Sequence, residues 1–88
     1  MNATSTLEMT DLSRQKNYRT DLSGDLTPEH DVDQAIDHYL QESRIPRHGM
    51  RWVAVSRGRR LDSKRQLLDL PDLDAEWRVL PEATAGVS

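Results

Sequence analysis

The residues able to do chemistry are few in this chain, and their spacing argues against a catalytic centre. There are three histidines, His30, His38 and His48, and no cysteine. The histidines do not fall at a metal-ligand spacing, and His30 and His38 are expected on or near the solvated face of a helix. Without cysteine there is no disulfide framework, no thiolate zinc site and no thiol nucleophile. Asp21, Ser23, Gly24 and Asp25 look like part of a calcium loop. The glycine is misplaced and the closing bidentate glutamate is missing, so they read as a turn. No serine stands in a nucleophile-elbow context, and no glycine-rich stretch could cradle a phosphate. The expectation is a protein that is not an enzyme and holds no metal or cofactor.

Charge is the stronger signal. The net charge of −3 conceals a segregation into three blocks. Residues 1–43 carry 3 Lys or Arg against 9 Asp or Glu, residues 44–65 carry 8 against 1, and residues 66–88 carry 1 against 5. The central block is a basic island. Such a field raises encounter rates with an acidic partner and orients it. Its arginines could instead pair with the acidic flanks and serve only solubility. Nucleic-acid binding is disfavoured, because the net charge is negative and Trp52 is the only aromatic within the island.

The elements that must carry these residues can be read from periodicity. Residues 52–61, WVAVSRGRRL, form a β-branched apolar run, a basic turn containing Gly58 and a short return, which is the pattern of a hairpin. Upstream, Val32, Ala35, Ile36, Tyr39 and Leu40 recur at the helical period, with Asp33, Gln34, Asp37, Gln41 and Glu42 on the other face. Asp31 is the N-cap, with Gln34 three residues on, and the helix should end near Ser43 or Arg44. Pro46 turns Ile45 away from helical angles, which makes Ile45 the core anchor of the exit loop. Thr6, Leu7, Glu8, Met9 and Thr10 alternate as a short first strand. Tyr18, Thr20, Leu22, Gly24 and Leu26 alternate again as a second, and the two could form a hairpin. Leu67, Leu70 and Leu73 suit a short helical turn or a tight loop around Pro71. Residues 76–80 read as a last strand that Pro81 stops, with Trp77 and Val79 on one side.

The order and joint spacing of these pieces resemble the ubiquitin-like β-grasp family. Pro28 leads into the helix, the apolar stripe follows, and Ile45-Pro46 closes it as in that family. Val55, Gly58, Leu61, Arg65, Leu67 and Asp69 then fall where the family shows a strand residue, the turn glycine, a core leucine and an Arg-x-Leu-x-Asp run. The chain departs from the pattern in a longer loop at His48-Gly49, a shorter last turn and a more polar first strand. The resemblance implies an α+β, ubiquitin-like β-grasp fold: a mixed four- to five-stranded sheet packed on one helix. The domain would span residues 5–81, with residues 1–4 disordered and residues 82–88 a flexible tail. It further implies Trp52 and Ala54 inward and Val53 and Val55 outward, the reverse facing being the alternative. A partner-binding patch of Val53, Val55, Arg57, Arg59 and Val79 would then lie on the open side of the sheet.

The same resemblance gives the C-terminus, PEATAGVS, a meaning. In ubiquitin-like modifiers the last strand runs into a tail whose terminal glycine reacts. Gly86 lies at a suitable distance beyond the last strand, but Val87 and Ser88 follow it, and Ala85-Gly86 replaces the family's double glycine. The chain therefore resembles a precursor of a bacterial ubiquitin-like modifier, cut between Gly86 and Val87. Implied partners are a processing peptidase, an adenylating (activating) enzyme, a conjugating enzyme and target proteins joined through an isopeptide bond. Lys16 and Lys64 are the only lysines that could accept such a bond. The alternative is a non-conjugated ubiquitin-like binding module, such as an accessory subunit of a multicomponent enzyme or secretion system. No long apolar run or signal-peptide pattern is present, so a cytoplasmic monomer without membrane contact is expected.

Overall fold

The computed structural model describes residues 6–11, 13, 15–70 and 75–82. Residues 1–4, to which the sequence assigns disorder, lie outside the described residues, as do Pro71, Leu73 and all of the expected flexible tail 82–88 except Glu82. The elements are β1 (Thr6–Thr10), β2 (Tyr18–Asp21), α1 (Val32–Glu42), β3 (Trp52–Ser56), β4 (Arg59–Arg60), a 3-10 turn (Leu67–Asp69) and β5 (Trp77–Pro81). They build a five-stranded mixed sheet in the order β2-β1-β5-β3-β4. Only the β1 to β5 pairing is parallel; the other neighbours are antiparallel.

Local chemistry accounts for the helix at both ends. The Gln34 N–H donates to the Asp31 carboxylate at 2.8 Å while the Asp31 N–H donates to the Gln34 amide oxygen at 3.0 Å, the reciprocal box expected from the sequence. The next free donors of the first turn, on Val32 and Asp33, reach the carbonyls of Arg65 and Ser63 at 3.0 and 2.9 Å. At the other end the N–H groups of Arg44 and Ile45 close back onto the carbonyls of Gln41 and Leu40. That closure puts Arg44 in the left-handed region at φ 57°, a conformation that favours glycine. Ile45 is thereby turned onto the core, as expected.

The predicted apolar face of α1 is buried in full: Val32, Ala35, Ile36, Tyr39 and Leu40 pack against Leu7, Met9, Trp52, Ala54, Trp77 and Val79. Each large side chain in such a layer contributes roughly 1.5–3 kcal/mol of burial. The alternation read from Tyr18 to Leu26 ends sooner than the sequence suggests. β2 stops at Asp21, where the turn-forming residues Asp21, Ser23, Gly24 and Asp25 take over, and Leu22 and Leu26 plug the core from the turn. Pro81 is the last residue of β5, opposite Trp52, rather than the residue that follows it. A strand end tolerates proline because the missing N–H breaks no inner ladder bond.

Candidate functional site

Strand pairing decides which side chains reach the face of the sheet away from α1. Leu7, Met9, Trp52, Ala54, Trp77 and Val79 belong to the core under the helix. Alternation sends Thr10, Val53, Val55, Arg78 and Leu80 to the opposite face. The register sets Arg60, Val55, Arg78 and Thr10 side by side across β4, β3, β5 and β1, with Val53 opposite Leu80. At the end of this face the chain turns through Arg57 and Gly58, at φ 52° and 78°. Two successive positive φ values are the geometry of a tight two-residue hairpin. Val55, Arg57, Gly58, Glu76 and Arg78 line a shallow depression of about 310 Å³.

Two of the expected patch residues, Val79 and Arg59, are placed differently from the sequence reading, and a third, Val53, faces as expected but is out of reach. Val79 is fully buried under α1, because it alternates with Arg78 and pairs with Ala54. Val53 faces away from the helix as expected, yet only 4% of it is exposed, so a partner cannot reach it as it can Val55. Arg59 is exposed, but it pairs with Ser56 and so shares the helix side, while Arg60 stands opposite Val55. The reachable outer surface is thus Val55 with Arg57, Arg60 and Arg78. Arg60 and Arg78 were missed by sequence reasoning, although counting alternation from Trp77 would have found Arg78.

Among the described residues Arg47 pairs with Asp37 at 3.1 Å and Arg60 with Glu82 at 2.7 Å. Two histidines have structural work. The Nδ1 of His30 accepts the Thr27 N–H at 2.9 Å, and the Nε2 of His38 lies 2.8 Å from the Tyr18 hydroxyl. Near the far end of the sheet Ile45, Pro46, Trp52, Val79 and Pro81 form an apolar groove of about 440 Å³, rimmed by Asp11, Ser13 and Lys16. Two shifted groups stand beside it. Burial pushes the Tyr39 phenol up to about 12, with the Asp11 carboxylate adding to the effect. Burial also raises Asp11, but hydrogen bonds from the Ser13 hydroxyl and the N–H groups of Lys16 and Gln15 outweigh it and hold the carboxyl below its ordinary value.

No family model and no curated protein matches the sequence. A solved chain described as "Molecular Mimicry of SUMO promotes DNA repair" superposes with a TM-score of 0.70 at 21% identity, covering 91% of this chain and 94% of that one. The fold is a ubiquitin-like β-grasp. Identity that low speaks for architecture alone.

Within this ubiquitin-like fold the route to the C-terminus starts from a fixed point. The Glu82 N–H donates to the Arg51 carbonyl at 2.7 Å, and its carboxylate holds Arg60. Ala83, Thr84 and Ala85 separate that anchor from Gly86. Gly86 and the Gly86 to Val87 bond lie outside the described residues. The two lysines sit in different surroundings. Lys16, in the β1 to β2 loop, donates its ammonium to the Ser43 carbonyl at 3.2 Å. Lys64 is exposed on the loop that follows β4. Among the described residues no helix is long and apolar enough to cross a membrane.

Proposed function

We propose that this chain is a ubiquitin-like protein modifier made as a precursor. A peptidase hydrolyses the Gly86 to Val87 bond. The freed carboxylate is adenylated by an activating enzyme, passed to a conjugating enzyme, and joined to an amine on a target protein. The observation that carries this reading is the ubiquitin-like fold, whose last strand ends at Pro81 and is followed by an anchored Glu82, with Gly86 a short small-residue stretch beyond. Glycine suits a residue that must thread a narrow enzyme channel, since the absent Cβ permits close approach and unusual backbone angles. The outer surface around Val55, Arg57 and Arg78 is the face offered to the enzymes, and its arginines select acidic partner surfaces. The protein acts in the cytoplasm as a monomer.

The test is intact mass after coexpression with a candidate peptidase and adenylating enzyme. Loss of Val87 and Ser88, followed by attachment to other proteins that Gly86→Asp abolishes, supports the modifier. A tail that stays whole, with Gly86→Asp as active as wild type, refutes it. The similarity to a solved chain described as "Molecular Mimicry of SUMO promotes DNA repair" favours a second reading, a non-conjugated ubiquitin-like binding module or accessory subunit. That module would act through the same Val55 surface and would be indifferent to the state of Gly86.

A further inference from the structure

We propose that Lys64, and not Lys16, is the lysine through which one copy of this chain is joined to another. This rests on the modifier reading above and names the acceptor site within it.

The two amines differ in what they are already doing. Lys16 is tied at three points: its N–H donates to the Asp11 carboxylate at 3.2 Å, its carbonyl accepts the Tyr39 hydroxyl at 2.7 Å, and its ammonium donates to the Ser43 carbonyl at 3.2 Å. Ser43 is the C-cap of α1, where the helix dipole presents partial negative charge and favours a cation. An ammonium held there must break that bond before its nitrogen lone pair is available. Lys64 is held only by its backbone. Its N–H donates to the Asp62 carboxylate at 3.0 Å, and the flanking carbonyls of Ser63 and Arg65 cap the N-terminus of α1 at 2.9 and 3.0 Å. The loop is therefore pinned on both sides of a residue whose exposed side chain has no polar partner among the described residues. A fixed base with an unengaged amine presents a nucleophile at little ordering cost. The neighbouring Arg65 extends the basic field that steers an acidic enzyme surface towards it.

In the step itself the neutral Lys64 amine attacks the carbonyl carbon of a Gly86 thioester carried on a partner enzyme's cysteine. The C–N bond forms, the C–S bond breaks with its electron pair leaving on sulfur, and the proton lost by the amine ends on the thiolate or in water.

Two measurements test this. The full-length chain is treated with a limiting amount of sulfo-N-hydroxysuccinimide acetate, and acetylation at each lysine is followed by peptide mass spectrometry. Lys64 is expected to react roughly threefold or more faster than Lys16, a factor at the low end of what a net intramolecular hydrogen bond contributes. Equal rates, or the reverse order, overturn the proposal without involving any conjugating enzyme. In a reconstituted reaction with activating and conjugating enzymes, Lys64→Arg is expected to remove lysine-linked dimers and Lys16→Arg to leave them. Dimers that persist in Lys64→Arg through Lys16 overturn the assignment. If Gly86 is attached to nothing, the modifier reading and the joining step fall together. Attachment to other proteins with no lysine-linked dimer removes only this inference.

Discussion

Val55 and Val79 lie on adjacent strands and are the same residue type, so truncating each in turn measures which face of the sheet is closed. Val79 is fully buried among Ala54, Trp77 and the α1 side chains. Val79→Ala removes the equivalent of two methylenes, about 1.6 kcal/mol of transfer free energy at roughly 0.8 per group. The unfilled cavity brings the loss to about 2–3 kcal/mol. A domain of this size shifts its melting temperature by about 4–8 °C per kcal/mol, so a drop of about 8–24 °C is expected. Val55 is only partly buried, and Val55→Ala should cost about 0.5–1 kcal/mol, or less than about 8 °C. Val53 faces the same side as Val55 yet is 4% exposed, so Val53→Ala should behave as a core truncation. Urea unfolding at constant m-value, with far-UV circular dichroism as the probe, reads all three. Equal losses at positions 55 and 79, or a larger loss at 55, would refute the facing. Val55→Asp should leave the fold intact while weakening partner binding at least tenfold, more so at low salt, where Arg57, Arg60 and Arg78 are least screened.

Further outcomes follow from single contacts. Arg44 adopts φ 57° just past the helix C-cap, so Arg44→Gly should raise stability by about 0.5–1 kcal/mol in a urea titration. The Thr10 hydroxyl is buried with no hydrogen-bond partner among the described residues, so Thr10→Val should raise the melting temperature, with about 1 kcal/mol gained by removing an unsatisfied group. The Tyr39 phenol, raised from 10.0 to about 12 in the folded chain, is protonated when folded at pH values where the unfolded chain has lost that proton. Its contribution is complete below pH 10 and is lost as pH rises towards 12, at most about 1.4 kcal/mol per pH unit. Tyr39→Phe should remove that slope in stability curves taken between pH 9.5 and 11.5; a slope unchanged by the substitution would refute the assignment to Tyr39.

Much of this fold is legible along the chain because its signals are local. The stripe from Val32 to Leu40, the Asp31 and Gln34 box, Ile45 before Pro46 and the Arg57-Gly58 turn each follow from residues within a few positions of one another, and each appears in the structure where the sequence puts it. What alternation supplies is a side for each residue relative to its own strand neighbours. It does not say which side the helix covers, nor which residue stands opposite which. Those belong to the pairings of β5 with β1 and β3, between segments far apart in sequence, and to the register of the β3 to β4 hairpin. They exchanged Val79 for Arg78 and Arg59 for Arg60 at the candidate surface. They also buried Val53 although it faces away from the helix. A strand repeats every two residues, so a one-residue difference in pairing or facing turns a surface residue into a core residue, and only the assembled sheet resolves it.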